Sequence, residues 1–253
     1  MYLEKFLILV INLDRAPQRL EKIKLQLDRL GLPWERLLAS DGQQLDMADP
    51  SLFDNKTFAI RHGKTALAGE IGCYLSHARA LERLLSSEAQ YAVILEDDVL
   101  LQDDLPDVLI ALDKRSLDWD MVKLSGIHRG HPLSLGKLTD QHELTVMMSR
   151  YTGASAYIVN KRAAQIYVQG LLPMRIPYDH EFDRGWHWAL KIRAVLPTPC
   201  VHDQVVQSTI ESPANNRLKF VWYKRLPTLG WRIGNDCRRC IYAMKAWFRI
   251  KFI

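Results

Sequence analysis

The sequence predicts an α/β fold, in which helices cover a sheet that is at least partly parallel. Two observations predict it. Continuous apolar runs, typical of strands covered on both faces, alternate along the chain with segments whose apolar residues recur at helical spacing. The chain has 253 residues, 48% hydrophobic and 25% charged, which is enough to bury a large core and argues against a disordered or fibrous protein.

The chain begins with a strand and a helix. Residues 6–11, FLILVI, form an aliphatic run that predicts a buried strand. Residues 15–30 follow with apolar side chains at helical spacing, and Gly31 ends this helix. A second strand is predicted at residues 34–39, before a polar loop of about two dozen residues.

The same patterns predict the later elements. Helices are expected at residues 69–85 and 161–171, and strands at residues 91–95, 120–124, 145–149 and 154–160. The strand at 91–95 runs directly into Glu96, Asp97 and Asp98. Because α/β sheets bind ligands at the carboxyl ends of their strands, this triplet is the first candidate for a site.

Positive charge is concentrated near the C-terminus. The net charge is +5, yet after residue 216 there are ten lysines and arginines against one acidic residue, Asp236. Composition changes at residues 212–216, SPANN, which predicts a main domain at 1–211 and a basic, aromatic-rich extension at 212–253. Such an extension either packs on the main domain, lies on an anionic membrane or binds single-stranded nucleic acid.

The sequence also indicates a compartment. No apolar run approaches the about 20 residues needed to cross a bilayer, and no cleavage site follows residues 6–11, so we expect a cytoplasmic protein. Cys237 and Cys240 form an isolated C-x-x-C without two further zinc ligands at suitable spacing. Together with Cys73 and Cys200 they are expected to be free thiols.

Three adjacent carboxylates at the end of a buried strand repel one another and lose contact with water, so a positive charge should compensate them. In an extended chain Glu96 and Asp98 point to one side and share a cation, while Asp97 points to the other. Oxygen ligands with substrate phosphates favour Mg²⁺ or Mn²⁺. A helix N-cap cluster or a solvated strand end explains the triplet equally well.

Two further segments carry polar groups. Residues 12–15, NLDR, follow the first strand, where they either line a ligand site or cap the next helix. No G-x-G-x-x-G turn and no P-loop is present, which argues against dehydrogenases and kinases. Residues 177–183, PYDHEFD, offer Asp179 and Glu181 as candidate general bases, although an acidic first turn of a helix is an equally good interpretation. His77 is either a packing residue or a ligand.

Taken together, six segments resemble glycosyltransferase family 25, the lipooligosaccharide and lipopolysaccharide biosynthesis glycosyltransferases. They are residues 10–15 (VINLDR), 39–42 (ASDG), 69–77 (GEIGCYLSH), 94–98 (ILEDD), 153–157 (GASAY) and 178–180 (YDH). They occur in the family's order, and the resemblance extends to about Gln207, roughly four fifths of the chain. The first, third and fourth segments are the specific ones.

The resemblance implies a GT-A-like, Rossmann-type nucleotide-binding domain. It implies an inverting transfer of a hexose, most often galactose, from a UDP-sugar to a hydroxyl of a lipooligosaccharide, lipopolysaccharide or related glycan. The implied donor-binding residues are Asn12, Asp14, Arg15, Asp41, Glu96 and Asp97, and the implied ligands for Mn²⁺ or Mg²⁺ are Glu96, Asp98 and His202. Asp179 is the implied general base, with Glu181 as the second choice.

A function of another class stays open on the sequence alone. An α/β protein without catalytic activity would use its basic extension to bind an anionic surface or nucleic acid. Contact with the inner face of the cytoplasmic membrane, where lipid-linked acceptors are found, stays open beside packing on the main domain, and no nucleic-acid partner is expected. A metal-dependent phosphohydrolase is disfavoured because no nucleophilic aspartate motif follows the first strand.

Overall fold

The computed structural model describes residues 3–127, 130–153, 155–203 and 220–251. The strands are β1 (Phe6–Asn12), β2 (Trp34–Leu38), β3 (Tyr91–Glu96), β4 (Val99–Leu101), β5 (Met121–Lys123), β6 (Pro132–Lys137), β7 (Glu143–Met147), β8 (Ala156–Asn160), β9 (Ile192–Leu196) and β10 (Cys200–His202). The helices are α1 (Pro17–Arg29), α2 (Asn55–His62), α3 (Ala68–Leu85), α4 (Leu105–Lys114), α5 (Lys161–Gly170), α6 (Tyr178–Glu181), α7 (Gly185–Trp188) and α8 (Leu226–Lys251).

One mixed sheet of eight strands organises the described residues, in the order β2-β1-β3-β8-β5-β9-β7-β6. Strands β2, β1 and β3 run parallel, and β8 is antiparallel to β3 and β5. A separate two-stranded ribbon pairs β4 with β10. The α/β prediction is confirmed.

Strand β1 is buried on both faces, as its aliphatic sequence predicts. Ile8 and Val10 pack with residues of α1 and α4, while Leu9 and Ile11 pack with residues of α3 and α5 on the other side. Helices therefore cover both faces of the sheet, and the carboxyl ends of β1 and β3 meet at one edge.

Most predicted elements are present within a few residues of their expected bounds, but the polar loop after β2 is not all loop. It contains α2, a helix with one buried residue, Phe58, and therefore little apolar periodicity to detect. Asp54 caps its first turn by accepting from the Thr57 N–H at 2.9 Å, and Gly63 ends it in the left-handed region. Strands β4, β6, β9 and β10 and helices α4 and α7 were not predicted either.

Helix α8 packs on the rest of the chain. It contacts α2, α7, β6 and β7. The Thr228 hydroxyl donates to the Ile60 carbonyl at 2.7 Å, and the Tyr242 hydroxyl donates to the Leu190 carbonyl at 2.8 Å. The predicted domain boundary at 212–216 lies outside the described residues, so the division at 211/212 stays a prediction.

All four cysteines are free thiols, as expected. Within the described ranges, no helix combines the length and the apolar character that crossing a membrane requires.

A glycine in α3 allows the loop after β2 to lie directly on that helix. A Cβ at Gly72 would be 2.5 Å from the Ser40 carbonyl oxygen and 2.6 Å from the Gly42 amide nitrogen. Gly72→Ala is therefore expected to lower the free energy of unfolding by roughly 1–3 kcal/mol, because backbone must move to admit the methyl group. Urea denaturation measures this.

The matched control is Gly230→Ala in α8, where an added Cβ has no neighbour within 4 Å. Alanine there should leave the free energy of unfolding unchanged or raise it by up to about 1 kcal/mol, because alanine favours the helix. Equal stability of the two variants would contradict the close approach at Gly72.

Candidate active site

The site begins where β1 and β3 end side by side. The parallel register pairs Ile11 with Glu96, which places the next residue of each strand at the same edge. The buried Asn12 amide donates to the Asp97 carboxylate at 2.6 Å and to the Ala16 carbonyl at 3.0 Å. One side chain thus joins the end of β1, the start of α1 and the acidic triplet.

The predicted alternation of the triplet is wrong. The chain leaves the extended conformation after Glu96 and turns at residues 97–98 before β4, so the two-residue period of a strand does not continue. Asp97 and Asp98 both contact the same Nη2 atom of Arg19 in α1, each at 2.5 Å. Glu96 instead faces α3 and α6.

Glu96 is held by three donors. Its Oε1 accepts from the Tyr178 hydroxyl at 2.6 Å, and His77 Nε2 and Cys73 Sγ lie 3.2 Å and 3.5 Å from the same oxygen. Burial raises the pKa of Glu96, but hydrogen bonds led by that of His77 outweigh it and lower the pKa to about 2. His77 also stacks on the Tyr178 ring with centroids 3.9 Å apart, so it is a packing residue that positions Glu96.

Asp98 is compensated less well. Its Oδ2 contacts Arg19, but its Oδ1 is buried and has no hydrogen-bond partner. Burial and the charge of Glu96 raise the pKa of Asp98 to about 6, against the influence of Arg19 and His202. A carboxylate with one unpartnered buried oxygen is a group that a cation would stabilise.

His202 lies beside this oxygen because β10 pairs with β4. The antiparallel register sets His202 opposite Val99, and the Asp203 N–H donates to the Asp98 carbonyl at 2.9 Å. His202 Nδ1 is 3.7 Å from Asp98 Oδ1. Two ligands that each lie about 2.1 Å from one cation are about 3 to 4 Å apart, so Asp98 and His202 fit a divalent metal.

Glu96 fits a metal less well than predicted. One ligand atom each of Cys73, His77 and Glu96 lies within 4.8 Å of the others, the only such trio of His, Cys, Asp or Glu among the described residues. However, Tyr178 already donates to Glu96, and His77 Nδ1 is 3.0 Å from the Tyr157 hydroxyl. Donors already surround Glu96 Oε1, so the structure argues against Glu96 as the shared metal ligand.

Four of the predicted donor-binding residues form two groups, Asn12 with Asp14 and Arg15 with Asp41. Arg36 contacts Asn12 Oδ1 at 3.1 Å and Asp14 Oδ1 at 2.7 Å, and the Asp14 side chain is 74% exposed. Arg15 forms an ion pair with Asp41. The Gln43 N–H and then the Arg15 guanidinium lower the pKa of Asp41, despite the opposing effect of burial.

Asp179 belongs to α6, next to the residue that binds Glu96. Its Oδ2 accepts from the Gly153 N–H at 3.1 Å and its Oδ1 from the His180 N–H at 3.0 Å. Gly153 has a φ of 90°, which favours glycine, and so presents its N–H to the carboxylate. Burial raises the pKa of Asp179, but His180, Lys123 and the backbone donors lower it overall.

Glu181, the second choice of base, points elsewhere. Residues two apart in a helix lie on nearly opposite sides of its axis, which sequence proximity to Asp179 conceals. Glu181 is buried and accepts from Arg184 Nη1 at 2.8 Å and from Trp188 Nε1 at 3.3 Å. Its carboxylate is thus engaged inside the fold, and the structure contradicts a role as base.

Several residues of the site were not predicted. Arg19 bridges Asp97 and Asp98, Lys22 forms an ion pair with Asp203, and Tyr178 binds Glu96. A signal existed for α1, because positions 15, 19 and 22 recur at helical spacing and all carry positive charge. Their direction toward the triplet depends on how α1 packs on the sheet, which the sequence pattern does not specify.

The sequence matches a known protein family. A sequence model described as glycosyltransferase family 25 (LPS biosynthesis protein) matches residues 6–182. This range contains β1, the acidic triplet and Asp179, and it excludes His202 and α8.

Individual relatives match shorter stretches. A glycosyltransferase 25 family member of Anopheles gambiae is 37% identical over 101 residues, 36% of this chain and 16% of the relative. Procollagen galactosyltransferase 1-B of Xenopus laevis is 26% identical over 125 residues, 46% of this chain and 20% of the relative. Probable inactive glycosyltransferase 25 family member 3 of Bos taurus is 26% identical over 133 residues, 46% of this chain and 21% of the relative. The matches span about a sixth to a fifth of these relatives' length.

The raised pKa of Asp98 has a measurable consequence for stability. Asp98 binds its proton more tightly in the folded state than in the unfolded chain, where its pKa is 3.8. The stabilisation that the bound proton gives the fold is therefore complete below pH 3.8 and is lost as the pH rises through about 6. Asp98→Asn mimics the protonated form. It is expected to raise the free energy of unfolding at pH 8 by on the order of 2 kcal/mol and to change it little at pH 4.

Urea denaturation at both pH values, with a chelator present, measures this difference. Asp14→Asn is the control, because its exposed carboxylate should matter by less than about 1 kcal/mol at either pH. Lower stability of Asp98→Asn at pH 8 would contradict the raised pKa, because it would mean that the ion pair with Arg19 outweighs the cost of burying the Asp98 carboxylate.

Proposed function

The chain belongs to glycosyltransferase family 25, and from this membership we propose that it transfers a hexose, in the first place galactose, from a UDP-sugar to a glycan hydroxyl with inversion. The family's description names lipopolysaccharide biosynthesis, and one relative is named a galactosyltransferase. These names support a lipooligosaccharide, lipopolysaccharide or related glycan as acceptor. The observation that carries the proposal is the meeting of Asn12, Arg19, Asp98 and Tyr178, next to Asp179, at one sheet edge.

Positive side chains at this edge suit a nucleoside diphosphate. Arg19 lies against Asp97 and Asp98, and its buried Nε has no hydrogen-bond partner. A diphosphate accepts from guanidinium groups with good geometry, so Arg19 is the chain's own contact for the leaving group. Arg15 and Asp41 lie on the loops that follow β1 and β2, where the nucleoside would be bound.

Asp98 and His202 would hold Mn²⁺ or Mg²⁺. When bound, the cation neutralises charge that develops on the departing UDP. Asp98 supplies the oxygen that otherwise lacks a partner, and the pairing of β10 with β4 sets His202 beside it. Lys22 secures this strand by its ion pair with Asp203.

Asp179 is suited to accept the proton of the acceptor hydroxyl. In an inverting displacement the base acts from the side opposite the leaving group, so it must come from another segment than the metal ligands. Helix α6 is such a segment, and Tyr178 ties it to Glu96 at 2.6 Å. The Gly153 and His180 N–H groups fix the carboxylate, and its lowered pKa keeps it ionised at neutral pH.

Donor binding should depend on metal. UDP-galactose with Mn²⁺, at about 100 times its Kd, is expected to stabilise the fold by about 2.7 kcal/mol, which corresponds to roughly 5 °C or more in Tm. Thermal denaturation measures the shift. EDTA should abolish the Tm shift, and so should Asp98→Asn. GDP-mannose, a donor with the wrong base, is the control and should give no shift. An equal shift with EDTA would remove the metal from the proposal.

The roles of the two α6 carboxylates differ, and substitution separates them. Asp179→Asn is expected to lower kcat by about 10²–10⁴-fold and to leave the UDP-galactose Kd unchanged, because it removes only the proton acceptor. A transfer assay with radiolabelled UDP-galactose measures the rate.

Glu181→Gln is the matched control. It weakens the buried contact with Arg184, so it should lower Tm while kcat per folded molecule stays within about threefold of wild type. Wild-type turnover by Asp179→Asn would reject the assignment of the base. No transfer by the wild type from any UDP-hexose would favour an inactive binding protein, the state named for the Bos taurus relative.

A further inference from the structure

The helix α8 packs on the chain with one face only. Its buried residues are Thr228, Asn235, Arg239 and Ala243, which recur at spacings of seven and four and therefore form one stripe. This stripe contacts α2, α7 and the β6–β7 edge of the sheet. The opposite face of α8 points away from the domain.

That opposite face is apolar. Five large side chains on it are 44–56% exposed: Leu226, Leu229, Ile233, Ile241 and Met244, here called the outer stripe. With 3.6 residues per turn they fall within an arc of about 120°, on the side opposite the buried stripe. Their exposure is patterned along the helix and is not scattered.

The apolar surface continues into the turn before α8. Trp222 and Tyr223 are 76% and 55% exposed. Of the eighteen exposed large hydrophobic side chains in the described ranges, ten lie between residues 221 and 250, so this segment forms a patch that calls for an explanation. Tryptophan and tyrosine are the side chains that favour the boundary between a bilayer and water.

Positive charge borders the outer stripe on one side. Arg238, Lys245 and Arg249 are exposed and lie along one flank of α8. Arg238 and Lys245 also line a cavity of about 650 Å³ between α7 and α8, together with Arg184 and His187. The acidic residue of α8, Asp236, is paired with Arg239 within its own helix, so it does not neutralise this flank.

We propose that the outer stripe, with Trp222 and Tyr223, inserts into the interface of an anionic lipid bilayer. The basic flank meets the lipid phosphates, and the buried stripe keeps the rest of the chain attached to the docked helix. A helix with an apolar face and flanking cations is suited to this position. A second copy fits less well, because an antiparallel pairing through the outer stripe would bring the two basic flanks to the same side.

Vesicle cosedimentation of the full chain tests the proposal. Binding is expected to vesicles of phosphatidylglycerol and phosphatidylcholine, to weaken with salt, and to be at least tenfold weaker to phosphatidylcholine alone. Leu229→Glu with Ile233→Glu, and separately Arg238→Glu with Lys245→Glu, should each weaken binding to the anionic vesicles at least tenfold. Leu117→Glu is the matched control, because Leu117 is 85% exposed and lies far from α8 in sequence.

Circular dichroism and Tm establish that each variant folds, and light scattering gives its mass. The Tm shift produced by UDP-galactose with Mn²⁺ in vesicle-free buffer should be unchanged in all of them, which separates this proposal from the proposed transfer reaction. Equal binding to both kinds of vesicle, no binding at all, or normal binding by the Leu229→Glu, Ile233→Glu variant would overturn the proposal. A dimer that the stripe variants convert to monomer, with no effect of vesicles, would overturn it in favour of self-association.

Discussion

Three consecutive carboxylates at the end of a buried strand are the constraint on which the arrangement of the site depends. Each would be costly without a partner, and together they take partners from several other segments. Glu96 is held by α3 and α6, Asp97 by Asn12 of β1 and by α1, and Asp98 by α1. Compensating this charge therefore brings four elements that are distant in sequence to one edge of the sheet.

Glu96 and Asp98 differ in how completely their partners compensate their charge. Glu96 is satisfied by hydrogen bonds, and its lowered pKa marks an anion that the fold itself stabilises. Asp98 keeps a buried oxygen without a partner, and its raised pKa marks an anion that the chain alone stabilises poorly. Incomplete compensation beside His202 is the physical basis for expecting a cation there, and Tyr178, the neighbour of Asp179 in α6, binds Glu96.

Much of the fold and of the site could be predicted from local sequence patterns. Aliphatic runs located β1 and β3, and because parallel strands end at one edge, Asn12 and the triplet were expected together. The α/β fold predicted from these patterns is the fold observed, a mixed sheet with helices on both faces. Position 72 of the GEIGCYLSH motif is glycine for a steric reason, since the loop at Ser40 passes directly over it.

The predictions that failed depend on turns and on packing, which a sequence pattern does not specify. The turn at residues 97–98 broke the strand period, so the predicted alternation of Glu96, Asp97 and Asp98 was wrong. The contact of Arg19 depends on the packing of α1, and the position of His202 depends on a ribbon of three-residue strands too short to show periodicity. Glu181 and Asp179 point in different directions because a helix begins at Tyr178, and residues two apart in a helix lie on nearly opposite sides of its axis.

An anomalous difference map, recorded with manganese scattering from crystals soaked in UDP and Mn²⁺, tests the cation site at Asp98 most directly. One peak is expected within about 2.5 Å of Asp98 Oδ1 and next to His202 Nδ1, with density for UDP beside it. A peak among Cys73, His77 and Glu96, or bound UDP without any manganese peak, would contradict a cation site at Asp98.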